Sequence, residues 1–183
     1  MIAQGLFEEI IIAGFGGQGV ILIGKLLAQS AMVAGHQVIY MPAYGPEVRG
    51  GTANCMVVIS DEPIASPVVS APSVVIAMNK ASMERFCPKM QTNGLLVMNR
   101  SMIEIEPPRD DIEVLSIPAD DLARELGSPK SANMVALGAY VAKRNILDPE
   151  EVIQNLSKVL APRYHKTIPT NQKALLRGAE FAK

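Results

Sequence analysis

Residues 11–20 read IIAGFGGQGV, with four glycines directly behind an apolar run. Gly14, Gly16 and Gly19 fit the pattern G-x-G-x-x-G, and Gly17 adds one more glycine. Such a loop makes a tight turn between a strand and a helix and directs free helix N–H groups at an anion. Two interpretations stay open on these residues: a backbone anion or close-contact site, and a tight strand-to-helix turn without a ligand.

The segments on either side of this loop alternate between strand and helix patterns. Strands are predicted at 8–13, 37–42, 53–60, 74–79, 94–99 and 112–118, and helices at 17–36, 79–86, 118–127, 131–145, 148–161 and 170–182. Strands that alternate with helices favour an α/β fold. We expect residues 1–183 to form a single Rossmann-like domain, with a mostly parallel, doubly wound sheet and helices on both faces.

The loop is only half of a dinucleotide fingerprint, which also needs an acidic residue after the second strand for the ribose hydroxyls. No carboxylate occurs between Glu9 and Glu47, and Glu47 falls late, within a Gly/Pro loop. A stand-alone dinucleotide-dependent oxidoreductase is therefore the less favoured alternative. The residues GVILIGKL (19–26) mimic a P-loop, but Leu26 replaces the magnesium-binding Ser or Thr, so Lys25 is interpreted as a helix-surface lysine.

A second glycine-rich loop, YGPEVRGG at 44–51, follows the second predicted strand. Loops at the carboxyl ends of parallel strands meet at one edge of the sheet, so we expect both loops to be neighbours there. Glu47 and Arg49 could pair with each other, bind a partner chain or bind a polar ligand. An exposed turn with solvated charges is the alternative.

Composition excludes several classes of function. The net charge of -1 and the lack of a long basic run argue against nucleic acid. The sequence shows no signal peptide, and outside the glycine loop and its helix it has no uncharged apolar stretch of about 18 residues that would favour a membrane span. Cys55 and Cys87 form no C-x-x-C, and His36 and His165 have no partner ligands nearby, so no metal site is predicted. Buried, reduced thiols in a cytoplasmic protein are expected.

Three motifs together carry a family resemblance: GFGGQGV at 14–20, YGPEVRGG at 44–51 and SANMVALGA at 131–139. In this combination the chain resembles the gamma subunit of the 2-oxoacid:ferredoxin (acceptor) oxidoreductases, from about residue 8 to 180. The glycine loop alone would not carry this resemblance, whereas the paired loops are fairly specific. The resemblance implies an oxidoreductase complex that oxidatively decarboxylates a 2-oxoacid to an acyl-CoA and passes electrons to ferredoxin.

In such complexes thiamine diphosphate, magnesium and iron–sulfur clusters belong to other subunits, so the resemblance implies that this chain alone holds no cofactor. Its implied partners are the alpha, beta and ferredoxin-like delta subunits, and coenzyme A is an implied ligand. No catalytic residue is assigned. By position, the candidate cofactor-binding residues are Gly14, Gly16, Gly17, Gln18, Gly19, Tyr44, Gly45, Pro46, Glu47, Arg49, Gly50 and Gly51. The 2-oxoacid stays open, because pyruvate, 2-oxoglutarate, branched-chain and indolepyruvate members share this module. A structural interaction module without a ligand is a further alternative.

Overall fold

A six-stranded sheet forms the centre of the fold in the computed structural model, which describes residues 5–44 and 51–183. The strands are β1 (Phe7–Phe15), β2 (Gln37–Tyr44), β3 (Thr52–Ser60), β4 (Val74–Ala77), β5 (Leu95–Asn99) and β6 (Glu113–Ile117). Their spatial order is β2-β3-β1-β4-β5-β6. We call the edge at which β1, β4, β5 and β6 begin the amino edge, and the edge at which they end the carboxyl edge.

Helices lie between and after these strands, as the sequence pattern predicts. They are α1 (Val20–Val33), α2 (Lys80–Phe86), α3 (Ala119–Glu125), α4 (Ala132–Arg144), α5 (Pro149–Gln154), α6 (Leu156–Val159) and α7 (Ile168–Phe181). Short 3₁₀ helices span Cys87–Lys89, Pro129–Ser131 and Pro162–Thr167. None of the helices in the described ranges is both long and apolar enough to cross a membrane.

The expected mostly parallel sheet is confirmed, except that one strand, β3, runs in the opposite direction. β1, β4, β5 and β6 pair in parallel, whereas β3 lies between β1 and β2 and runs antiparallel to both. Only residues 45–51 separate β2 from β3, and so short a connection can join antiparallel neighbours but not parallel ones. β1 and β2 therefore point the same way, as a βαβ unit requires, without touching each other.

The two faces of the sheet are covered unequally. The larger apolar cluster joins alternate strand residues, such as Ile10 and Ile12, to α1, α3, α4, α5, α6 and α7. The smaller cluster joins the intervening residues, such as Ile11 and Ala13, to α2 and the 3₁₀ helix that follows it. The prediction of helices on both faces thus holds, but the second face carries far less helix.

The prediction of one continuous helix at 148–161 is wrong, because the structure has two short helices there, α5 and α6. Its start is as expected, since Asp148 and Glu151 form a reciprocal capping box before α5. The helix breaks at Asn155, where the buried side chain donates from Nδ2 to the Glu151 carbonyl and the backbone N–H bonds to the Val152 carbonyl. Asparagine competes with regular helix bonding in this way, so α5 and α6 are separate.

α4 and α7 cross with their backbones in contact. A Cβ atom on Gly138 would lie 1.9 Å from the Leu175 carbonyl oxygen, and one on Gly178 would lie 1.9 Å from the Val135 carbonyl oxygen. No side chain fits at either position. This crossing fixes α4 against α7. The start of α4 then lies at the carboxyl edge, where Asn133 contacts Gly19, and its end lies at the amino edge, where Arg144 contacts Glu8.

Candidate functional site at the carboxyl edge

The glycine loop lies between β1 and α1, at the carboxyl edge. Gly17 and Gly19 have φ angles of 100° and 71°, and Gly19 is the N-cap of α1. The Gly16 N–H donates to the Gly51 carbonyl oxygen at 2.9 Å, which ties the first loop to the last residue of the second. Of the second loop, Gly51 is therefore a neighbour of the glycine loop, and the expectation that the loops adjoin is met at this residue.

Gln18 folds back inside the loop. Its Oε1 accepts hydrogen bonds from the Phe15 N–H at 2.7 Å and from Asn79 Nδ2 at 3.0 Å, while its Nε2 donates to the Met78 carbonyl at 3.1 Å. A Cβ atom on Gly14 would lie 2.7 Å from Gln18 Oε1, so Gly14 leaves room for this amide. The structure thus gives Gln18 and Gly14 the internal task of holding the turn. A ligand contact by either stays a prediction.

The polar network continues along the ends of β4 and β5. Asn99 donates from Nδ2 to the Met78 carbonyl at 3.3 Å and to Asp120 Oδ2 at 2.6 Å. Its Oδ1 accepts from the Ala119 N–H, at the start of α3. Asn79 caps α2, as predicted, through the Ser82 N–H. Sequence reasoning missed Asn99 and Asp120 as members of this edge, although an asparagine at the end of each of two buried strands was a usable signal.

Asn133, from the third motif, fixes the other side of the glycine loop. Its Nδ2 donates to the Gly19 carbonyl at 3.2 Å, and its Oδ1 accepts from the Met134 N–H at 2.9 Å. A Cβ atom on Gly19 would lie 2.3 Å from Asn133 Nδ2. Gly19 must therefore be glycine for two reasons: its positive φ and the closeness of this amide. The first and third motifs meet at this contact.

Three clefts surround the loop, and Gly17 lines all of them. The largest, of about 510 Å³, is bounded by Gly16, Gly19 and the first turns of α1, including Lys25. A cleft of about 340 Å³ lies towards α7, and one of about 230 Å³ lies between the loop and Asp120. Lys130 lines both of these smaller clefts. Pockets of this size, with glycine backbone and a few polar groups, are typical of small-molecule sites.

Two exposed cations beside the glycine loop, Lys25 and Lys130, differ from Lys80 and Arg100 at the same edge, which pair with Glu84 and Glu106. Within residues 5–44 and 51–183, neither Lys25 nor Lys130 forms an ion pair or a side-chain hydrogen bond. Lys25 is a surface residue of α1, as predicted, but it also lines the largest cleft. An anionic ligand would therefore meet two unneutralised ammonium groups beside the glycine backbone.

Only part of the second loop can be placed. Tyr44 ends β2 and Gly51 accepts the hydrogen bond from Gly16, both through their backbones. The Tyr44 side chain lies outside the described residues, as do Gly45, Pro46, Glu47, Arg49 and Gly50. Their roles stay predictions.

The thiols cannot serve a shared metal site. Cys55 belongs to the larger apolar cluster and Cys87 to the smaller one, so they lie on opposite faces of the sheet. Burial raises the pKa of Cys55 to about 12 and raises that of Cys87 as well. In the described part of the chain, no three His, Cys, Asp or Glu side chains gather as a metal cluster would require. The residues of this chain do not fit an iron–sulfur cluster, which needs several thiolates at one point.

Comparisons with known proteins agree with the family resemblance and with the fold. The family model for pyruvate ferredoxin/flavodoxin oxidoreductase matches residues 9–181. The ketoisovalerate oxidoreductase subunit VorA of Methanothermobacter marburgensis is 36% identical over 96% of this chain, which spans only 36% of that relative. The 2-oxoglutarate synthase subunit KorC of Methanocaldococcus jannaschii is 32% identical and matches over 96% of this chain and 94% of its own length.

Two solved structures share the fold along nearly the whole chain. The keto/oxoacid ferredoxin oxidoreductase gamma subunit of Geobacter sulfurreducens has a TM-score of 0.83 at 26% identity, with 97% of both chains covered. The 2-oxoglutarate:ferredoxin oxidoreductase of Magnetococcus marinus, solved with 2-oxoglutarate, coenzyme A and succinyl-CoA, has a TM-score of 0.85 at 26% identity. The match covers 96% of this chain and 31% of the Magnetococcus chain. The resemblance to the gamma subunits is confirmed, and the chain belongs to the pyruvate ferredoxin/flavodoxin oxidoreductase family.

Proposed function

We propose that this chain is the gamma module of a multi-subunit 2-oxoacid:ferredoxin oxidoreductase, which converts a 2-oxoacid to an acyl-CoA with electrons passed to ferredoxin. Two relatives that match over 96% of this chain are subunits named for ketoisovalerate oxidoreductase and 2-oxoglutarate synthase. Alpha, beta and ferredoxin-like delta subunits would supply the thiamine diphosphate, magnesium and iron–sulfur clusters. The free, buried thiols suit work in the cytoplasm.

Within this complex the carboxyl edge of the chain would contact coenzyme A. The observation that carries this proposal is the glycine loop, open to a cleft of about 510 Å³ and tied by Gly16 to the second loop. Coenzyme A carries several phosphate charges, which suit glycine backbone N–H groups and the unpaired Lys25 and Lys130. The relative from Magnetococcus marinus supports the proposal, since its structure holds coenzyme A.

A dinucleotide is the weaker candidate for the same cleft. β2 contains no acidic residue to bind the ribose hydroxyls, and the family's reactions are named for ferredoxin or flavodoxin rather than a nicotinamide. Calorimetric titration of the chain with NAD(H), NADP(H) and FAD separates the two candidates. Heat with any of these dinucleotides, and none with coenzyme A, would reverse the assignment.

The test of coenzyme A binding compares two glycines that flank α1 and share the same backbone constraint. Gly19 and Gly35 both have a positive φ, but an added Cβ meets Asn133 at Gly19 and nothing within 4 Å at Gly35. Gly19→Ala should displace the loop and raise KM for coenzyme A in the assembled complex by about tenfold, the loss of one charge-assisted hydrogen bond. Gly35→Ala should strain the backbone by about 1–2 kcal/mol and leave that KM unchanged.

Steady-state kinetics of the two variants, with coenzyme A varied, give the answer. An unchanged KM in the Gly19→Ala complex would contradict the proposed contact. Co-purification tests the assembly itself: the tagged chain, expressed in its native host, should bring a thiamine-binding subunit with it, and a chain that purifies alone would count against the gamma-module proposal.

A further inference from the structure

The cleft of about 340 Å³ on the α7 side of the glycine loop, which we call the α7-side cleft, shares Gly17, Gly19 and Lys130 with the contacts proposed above, but its α7-side wall is not used by them. Its walls are the loop at Gly17 and Gly19, the turn that holds Ser128, Lys130 and Ser131, and four residues on the α7 side. These four are Leu160, Tyr164, Thr167 and Asn171. Gly17 and Gly19 also line the largest cleft. One extended ligand can therefore pass around the loop and occupy both spaces.

One wall of the α7-side cleft is a continuous row of hydrogen-bonded side chains. Ser128 Oγ lies 2.8 Å from Ser131 Oγ, which donates to Asn171 Oδ1 at 3.3 Å. Asn171 Nδ2 donates to Thr167 Oγ1 at 3.3 Å, and Thr167 Oγ1 donates to the Tyr164 carbonyl at 2.7 Å. These bonds hold the wall in one arrangement and offer hydroxyl and amide groups to the hydroxyls of a sugar.

The segment that supplies one wall of the cleft is positive although the chain as a whole is not. Residues 152–179 contain no Asp or Glu, but they include five basic residues: Lys158, Arg163, Lys166, Lys173 and Arg177. Within this segment, Arg177 pairs with Glu125 and Glu180. At the opposite wall, the unpaired Lys130 lines the cleft. A ligand with negative charge is favoured by this distribution, and a cation is not.

An aromatic ring stands at the mouth of the same cleft. Tyr164 is 47% exposed, in a chain with only 4% aromatic residues, and the Arg163 guanidinium lies 4.9 Å from the centre of its ring. An exposed ring beside a cationic group can stack on a nucleobase, since every base has a π-face.

We infer that the α7-side cleft receives the phosphorylated nucleoside end of coenzyme A, with Lys130 against a phosphate and the Tyr164 ring stacked on the base. This inference rests on the proposed function, because the remaining part of coenzyme A would lie along the glycine loop. It assigns Lys130 and Tyr164 as ligand contacts that the motifs of the sequence do not contain. A free nucleotide has the same chemistry, so the experiment separates the fragment from the whole ligand.

The experiment measures KM for coenzyme A and kcat in the assembled complex for four variants. Lys130→Ala and Tyr164→Ala should each raise KM by about tenfold, the usual loss for a charge-assisted contact or a stacked base, with kcat at saturation unchanged. Tyr164→Phe keeps the ring and should retain the parental KM. Lys166→Ala is the matched control, since this exposed lysine belongs to the same basic segment but does not line the cleft.

Adenosine 3′,5′-bisphosphate serves as the probe for the nucleoside end alone. It should inhibit the complex competitively against coenzyme A, and its inhibition constant should rise about tenfold in Lys130→Ala and Tyr164→Ala. Non-competitive inhibition, or none, would overturn the inference. So would equal losses in Tyr164→Phe and Tyr164→Ala, or in Lys166→Ala and Lys130→Ala.

The outcomes also separate this inference from the proposed function. If Gly19→Ala raises KM for coenzyme A while Lys130→Ala and Tyr164→Ala do not, the contact at the glycine loop stands and the α7-side cleft is excluded as the nucleoside site. If none of the three variants changes KM, both the proposed contact and the inference fail.

Discussion

The two edges of the sheet differ in whether their charged side chains have partners within the fold. At the amino edge, the carboxylate of Glu8 is only 2% exposed and is bound by the Tyr140 hydroxyl at 2.6 Å and by the Arg144 guanidinium. At the carboxyl edge, the buried polar groups are mostly neutral amides, and the exposed Lys25 and Lys130 pair with no residue of the described chain. The buried charge at the amino edge is thus paired within the fold, whereas Lys25 and Lys130 at the carboxyl edge are left for a ligand.

Other ionisable groups at the amino edge, Asp61 and Tyr140, also have partners within the fold. Asp61 accepts from the Leu6 N–H and lies 2.9 Å from His36 Nδ1, and these bonds lower its pKa. Burial raises the pKa of Tyr140 well above its usual value, so its hydroxyl stays protonated and donates to Glu8. Charged groups with satisfied partners stabilise a fold and have little left to offer a ligand.

The largest expected effect on the free energy of unfolding comes from removing the cation that pairs with Glu8 at the amino edge. Arg144→Ala leaves the Glu8 carboxylate, whose side chain is 3% exposed, without its cation. An uncompensated buried charge should lower the free energy of unfolding by about 3–5 kcal/mol. The neighbouring Lys143→Ala removes a half-exposed pair with Glu113 and should change it by less than about 1 kcal/mol. Urea denaturation of both variants measures the difference, and equal losses would show that the Glu8 pair is not special.

A smaller effect is expected at the carboxyl edge, where the groups are neutral. Gln18→Ala removes the partner of the Phe15 N–H, of Asn79 and of the Met78 carbonyl, and should cost about 1–3 kcal/mol of unfolding free energy. Gln29→Ala, in the helix α1 that follows the loop, is the matched control, because this half-buried glutamine makes no hydrogen bond within the described residues. Faster amide exchange at Phe15 in Gln18→Ala alone would confirm that Gln18 holds the loop. Equal exchange in both variants would contradict it.

The smallest effect is a dependence on pH at the amino edge, before β6. Hydrogen bonding from Arg109 lowers the pKa of Asp111 to about 2. A carboxyl with a lowered folded-state pKa stabilises the protein above its unfolded pKa of about 4, and this stabilisation is lost as the pH falls through about 2. The difference in unfolding free energy between the parent and Asp111→Asn should therefore be present at pH 7 and shrink between pH 4 and 2. A difference that is independent of pH over this range would exclude the ion pair as its cause.

Local patterns in the sequence were enough for most of the elements and for the position of the candidate site. Apolar runs predicted the buried strand β4, and Asn79 and Asp148 cap helices as expected, because capping depends on residues two or three positions away. The glycine loop was correctly placed between a strand and a helix for the same reason. These features depend on neighbours in the chain, which the sequence displays directly.

The contacts between residues far apart in the chain were decided by the tertiary structure alone. Glu8 reads as a polar residue before an apolar run, yet it is buried because Arg144 and Tyr140 reach it from α4. The insertion of β3 between β1 and β2, and the cleft that joins Lys130 to Tyr164 beside the glycine loop, likewise depend on packing. A sequence pattern fixes which residues can turn, cap or alternate, whereas the pairing of distant side chains is set by how the layers pack around the sheet.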